Sequence, residues 1–128
     1  MKRYGLLLMI LLPGVICADQ AVIRHVELEQ HSTSWTVSVT LQHADTGWDH
    51  YADGWRVVTA DGKVLGHRTL YHPHVNEQPF TRNLSGIMIP AGVNRVFVEA
   101  HDKVHGWNTE RLEVNLQQAQ GDGYRVKR

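Results

Sequence analysis

The residues best equipped for chemistry in this chain are its nine histidines, set against a single cysteine. Six of them fall into three groups, two of which also carry carboxylates. The first is His43-Ala44-Asp45-Thr46-Gly47-Trp48-Asp49-His50-Tyr51-Ala52-Asp53, which combines two imidazoles with three acids. Imidazole nitrogen is a good ligand for zinc, copper, iron or nickel near neutral pH. The acids recur at every fourth position rather than alternating, which argues against a calcium loop of the EF-hand kind. The second group is His72-Pro73-His74. Proline favours an extended residue before it, and residues two apart in an extended segment share a side, so these two rings could hold Cu(II) or Zn(II). The third is His101-Asp102-Lys103-Val104-His105-Gly106-Trp107, in which Asp102 and His105 stand three apart. The candidate metal ligands are therefore His43, His50, His105 and Asp102, with His72 and His74 as a further pair.

Other chemistries find no support. The lone Cys17 allows no disulfide framework, no CxxC redox pair and no cysteine-rich zinc site. The sequence contains no GxSxG elbow, no P-loop and no GxGxxG turn. Asp49, Asp53 and Glu77 could act as acid or base, but sequence alone pairs none of them. With 13 basic and 13 acidic residues the formal charge is zero. A nucleic-acid binder needs a basic stripe to displace counterions, so that partner class is excluded.

The elements that must position these groups read as strands. Trp35 to Leu41 alternates apolar and hydroxyl residues strictly, which places Trp35, Val37, Val39 and Leu41 on one buried face. Residues 21–29, 55–59, 63–70, 84–89, 93–101 and 111–116 add six more short alternating runs with turn signals between them. Asp61-Gly62 between two apolar runs predicts a hairpin with a type I′ turn. No segment carries a sustained helical stripe. Seven strands in one domain-sized chain predict an all-β fold, an immunoglobulin-like two-sheet antiparallel β-sandwich. Loops of such a sandwich cluster at its ends, so histidines from distant segments can converge there. Residues 117–128 show no apolar pattern and read as a loose polar tail.

Lys2 and Arg3, the apolar run Gly5–Val15 and the small residue Ala18 form the tripartite pattern of a secretory signal over residues 1–18. That run is shorter than the ~20 apolar residues of a spanning helix, so no stable membrane span is expected after cleavage. Ile16 precedes Cys17 where a lipoprotein signal wants Gly, Ala or Ser. The sandwich domain is placed at 19–116, and the protein is expected to be periplasmic or secreted.

Two of the loops resemble those of superoxide reductases, the desulfoferrodoxin and neelaredoxin group. The likeness lies in His43, the His50-Tyr51 pair, the downstream Trp55, the Asp61-Gly62-Lys63-Val64 hairpin, and His105-Gly106-Trp107 after Asp102. It spans roughly residues 33 to 108. The resemblance implies an immunoglobulin-like sandwich and a mononuclear iron held by loop histidines. It maps His43, His50 and His105 onto family ligands and matches His25 loosely to the remaining one. Asp102 stands where the family has its cysteine, and the family's first two histidines are one residue closer together than His43 and His50.

Together these readings describe an exported, histidine-rich sandwich that binds one transition-metal ion (Fe, Cu or Zn). The alternatives are a superoxide-reductase-like redox enzyme and a metal-free interaction module meeting an envelope protein. The module would present Trp48, Tyr51, Trp55, Phe80 and Trp107.

Overall fold

A computed structural model describes residues 20–128; the expected leader over 1–18 lies outside them. Ten strands follow in chain order: β1 (Val22–His31), β2 (Ser34–Gln42), β3 (Ala52–Val58), β4 (Val64–Thr69), β5 (Phe80–Ile87), β6 (Arg95–Asp102), β7 (Gly106–Trp107), β8 (Leu112–Asn115), β9 (Gln120–Gly121) and β10 (Tyr124–Lys127). One sheet has the order β5-β2-β1-β10-β9; the other runs β4-β3-β6-β7, with β8 also on β6. All seven expected strands are present. Their connectivity is that of an immunoglobulin sandwich, with the first, second and fifth strands in one sheet and the third, fourth and sixth in the other. Two short strands, β7 and β8, together make the seventh strand on β6.

Strand faces follow from period-two patterning. In β2 the residues Trp35, Val37, Val39 and Leu41 are buried and the hydroxyl residues between them are not. Val96, Val98 and Ala100 of β6 are fully buried, opposite Trp55 and Val57 of β3. Val26 and Leu28 of β1 complete the layer between the sheets. Each such side chain taken out of water stabilises the fold by about 1.5–3 kcal/mol.

Two expectations are corrected. The β3–β4 hairpin is present, but only Gly62 has positive φ, at 89°, so the turn is not type I′. Gly62 N–H donates to the Thr59 carbonyl at 3.0 Å and Thr59 N–H to the Lys63 carbonyl at 2.9 Å. This is a three-residue loop ending in a left-handed glycine, and it satisfies the strand twist with one positive φ rather than two.

The second correction concerns residues 117–128, which are not a loose tail. Strand β10 pairs in parallel with β1, Val26 against Tyr124 and Leu28 against Val126. Tyr124 and Val126 are buried, while Arg125 and Lys127 face out. The alternation was there, but it is only four residues long, and its partner lies about a hundred residues upstream, where local patterning cannot reach.

Candidate metal site

The inward face of two strands runs on past the core into polar residues. In β2, Leu41 is followed two residues later by His43, and in β6, Ala100 is followed by Asp102. Both continue the buried register: the His43 and Asp102 side chains are fully buried. The pairing of Ala52 with Asp102 brings the start of β3 to the same end of the sandwich. Between β2 and β3 the chain folds back on itself. His50 N–H donates to the Gly47 carbonyl at 3.2 Å, and Thr46 N–H donates to the His50 carbonyl at 3.0 Å. That turn swings the His50 ring over the end of the core.

His43, His50 and Asp102 thereby converge, with one ligand atom from each lying within 4.8 Å of the other two. His43 Nε2 and His50 Nε2 are 3.2 Å apart, and His50 Nε2 is 3.3 Å from Asp102 Oδ1. Two ligands bound at ~2.0–2.1 Å to one tetrahedral ion stand about 3.3 Å apart, so both separations match the edges of a shared coordination sphere. The second oxygen, Asp102 Oδ2, is buried and has no hydrogen-bond partner among the described residues. A buried carboxylate oxygen left unpaired is costly and calls for a partner, and a cation is one. The residues present therefore fit a divalent transition-metal ion held by two imidazoles and one carboxylate.

Asp45 orients this site. Its Oδ1 accepts from His43 Nδ1 at 2.5 Å and from Ala52 N–H at 3.0 Å, and its Oδ2 accepts from His74 N–H at 2.7 Å. With the Nδ1 proton given to a carboxylate, Nε2 is the ligand nitrogen of His43, the arrangement seen repeatedly behind metal-bound histidines. Gln78 braces the same loop: its Oε1 accepts from His43 N–H at 3.0 Å, and its Nε2 donates to the His74 carbonyl at 2.9 Å. Sequence reading gave Asp45 only a place in the first group and overlooked Gln78. The two-residue step from His43 to Asp45 was the one available signal.

His105 holds Asp102 from the solvent side. Its main-chain N–H and its Nδ1 reach Asp102 Oδ1 at 2.8 and 2.9 Å, and Val104 N–H reaches the same oxygen at 2.9 Å. Burial pushes the Asp102 carboxyl up, but the N–H groups of His105 and Val104 and the His105 ring outweigh that and hold it below the ordinary carboxylate range. The His105 ring lies 5.4 Å from that of His50.

His72 and His74 do not join the cluster. Their rings lie 4.7 Å from each other, while His74 stacks on Phe80 at 4.0 Å. Arg82 approaches His74 Nε2 at 2.9 Å. Guanidinium can only donate, so Nε2 accepts and Nδ1 carries the proton in the neutral ring. That leaves the buried Nδ1 without a lone pair to offer a metal. Burial first, then Arg82 and His72, lowers the His74 pKa from its ordinary value, consistent with a neutral structural ring. His74 serves the site through its backbone N–H on Asp45.

The aromatic surface also looks different from the expected one. Trp55, Tyr51 and Phe80 are buried, and of the five expected rings Trp48 alone, at 67% exposure, stands well out into solvent. Trp107 lies on the outer face of the second sheet, under the Arg56 guanidinium and beside His67 and His101. There, His101 Nδ1 bonds the Asp53 carboxylate, a second imidazole–acid pair that sequence reading left unassigned.

Comparison with known proteins adds one relative. A protein of Halomicrobium mukohataei named "Putative lipoprotein" is 44% identical over 80 residues, covering 62% of this chain and 39% of that protein. The chain thus spans well under half the length of the curated relative it matches. No family model and no solved structure matches the chain. Among the described residues no helix is long and apolar enough to cross a membrane.

Proposed function

We propose that this protein binds one transition-metal ion through His43, His50 and Asp102, with His105 at the mouth of the site, and that it does so in the cell envelope. The observation that carries the reading is the buried Asp102 carboxylate, with Oδ2 unpaired and Oδ1 3.3 Å from His50 Nε2, which is itself 3.2 Å from His43 Nε2. Two nitrogens and an oxygen without a thiolate suit Zn(II), Cu(II) or Fe(II). The export-type pattern over residues 1–18 and the lipoprotein name of the relative support the envelope location.

When bound, the ion would supply Lewis acidity or, as copper or iron, a redox couple. The protein's part is to hold the ligands rigid. Asp45 fixes the His43 ring, the turn at Gly47 places His50, and the N–H groups of Val104 and His105 fix Asp102. Limited access, with the His50 side chain 15% exposed and that of His105 33%, restricts the site to small molecules.

The test is metal stoichiometry. The purified chain, stripped with a chelator and offered Zn(II), Cu(II) or Fe(II), should retain one ion per chain, and the His43→Ala/His50→Ala double variant should retain none. Equal retention by both would overturn the proposal. The resemblance to superoxide reductases supports a narrower reading, an iron site acting on an oxygen species, with Asp102 replacing the sulfur ligand. Stopped-flow decay of superoxide by the iron-loaded protein should then exceed that by free iron, and indistinguishable rates would remove that reading while leaving metal binding intact.

A further inference from the structure

The outer face of the first sheet carries a motif that the metal site does not use. In β5, Phe80 and Leu84 turn toward the core, while Thr81, Asn83 and Ser85 turn outward and are exposed. The register against β2 sets Asn83 opposite Ser38. Two hydroxyl pairs flank it: Thr40 with Thr81 at 2.7 Å, and Thr36 with Ser85 at 3.0 Å. Asn83 itself makes no side-chain hydrogen bond among the described residues.

Asn83-Leu84-Ser85 is an Asn-X-Ser sequon whose middle residue is not proline, and no other asparagine in the chain has Ser or Thr two places on. Such a triplet is the acceptor for N-linked sugar on exported chains, provided that the asparagine lies on the surface. The fold meets that condition in three ways. Period-two alternation keeps the Asn83 amide outside the sheet. Its neighbours on that face, Ser38, Thr81 and Ser85, are short, so nothing beside it crowds a bulky substituent. Strand β5 is also the edge of its sheet, paired with β2 alone, which leaves room on its far flank. Five residues of strand separate Ser38 from His43, roughly 17 Å at ~3.4 Å each, so a sugar on Asn83 leaves the metal site uncovered.

We infer that Asn83 is N-glycosylated, with a lipid-phosphate-linked oligosaccharide as the donor. The inference rests on the envelope location proposed above. Asn83 Nδ2 bonds the anomeric carbon, and the bond from that carbon to the lipid phosphate oxygen breaks. The phosphate leaves with the electron pair, one Nδ2 proton passes to a base of the transferase, and nothing is oxidised or reduced. Transfer precedes the pairing of β5 with β2, while the segment is extended and the Ser85 hydroxyl is not yet shared with Thr36. The folded sheet then holds the modified side chain in solvent.

The test is peptide mass mapping of the full chain isolated from the envelope fraction of the cells that make it. Glutamyl endopeptidase releases residues 78–99, which contain the sequon. That peptide should be heavier than its sequence by whole sugar residues, with fragmentation placing the increment on Asn83. Asn83→Gln and Ser85→Ala, expressed in the same cells, should lose the increment completely, and Ser85→Thr, which preserves the sequon, should retain it. Asn83→Gln should still hold one metal ion per chain, which shows that it folds. An unmodified peptide from envelope-located protein, or an increment that survives Asn83→Gln, overturns the inference and leaves the envelope location standing. Recovery of the protein from the cytosol alone removes the location and the inference together.

Discussion

Asp102→Asn isolates the metal reading from the fold. Asparagine has the shape of aspartate and keeps an oxygen where Oδ1 accepts from Val104 and His105, so the loop after β6 stays in place. Its amide nitrogen falls where Oδ2 is now buried and unpaired. A buried N–H pair without an acceptor costs about 1–3 kcal/mol, and the substitution removes the negative charge that favours a cation. Loss of an outer partner behind a metal ligand costs about 10–100-fold in affinity, so loss of the carboxylate ligand itself should cost at least about 100-fold. Binding to the folded state alone stabilises it by about 2.7 kcal/mol when the free ion is at 100 times its Kd. In a domain of about 110 residues that raises Tm by roughly 10 °C. Differential scanning calorimetry after chelation and zinc addition should show this rise for the native chain. The variant should rise by less than about 2 °C, with its metal-free Tm lowered by an amount matching the amide cost. A zinc-dependent rise of the same size in both proteins would refute the reasoning, because it would place the ion away from Asp102.

Three further outcomes are expected. Asp45→Asn should lower metal affinity by about 10–100-fold in titration calorimetry without removing binding, because Asp45 orients His43 from behind. The pKa of His74 is depressed in the fold, mainly by burial. Below its unfolded value of ~6.5 the unfolded chain takes up the proton first, so this ring's contribution, fully present above that pH, is lost as pH falls through the folded pKa. Urea midpoints of the metal-free protein should therefore drop on going from pH 7.5 to 5, and less steeply in His74→Phe. Truncation after Gln117 removes buried Tyr124 and Val126 along with the parallel pairing to β1. It should cost roughly 3–5 kcal/mol by denaturant unfolding, and a midpoint equal to the full chain's would mean that β10 contributes nothing.

The sequence determined the class of fold and half of the site. Strict alternation in β2 and β6 settles which residues face the core, and counting two past Leu41 and Ala100 arrives at His43 and Asp102 on that same buried face. A polar residue continuing an apolar register at a strand end is therefore a signal that local pattern does carry, because side-chain direction repeats every two residues. The tertiary structure decided the rest. His50 reaches the cluster only through the turn at Gly47 and the register of Ala52 against Asp102, and neither is written in the spacing of histidines. His72 and His74 look equally suited as ligands by type and spacing. Only packing against Phe80 and Arg82 turns His74 into a brace. Strand β10 joins β1 from the far end of the chain because Tyr124 and Val126 find there an apolar layer and a free edge that no neighbouring residue provides. Local order follows from residue type; convergence follows from which distant edges and faces close on one another when the sheets bury their apolar sides.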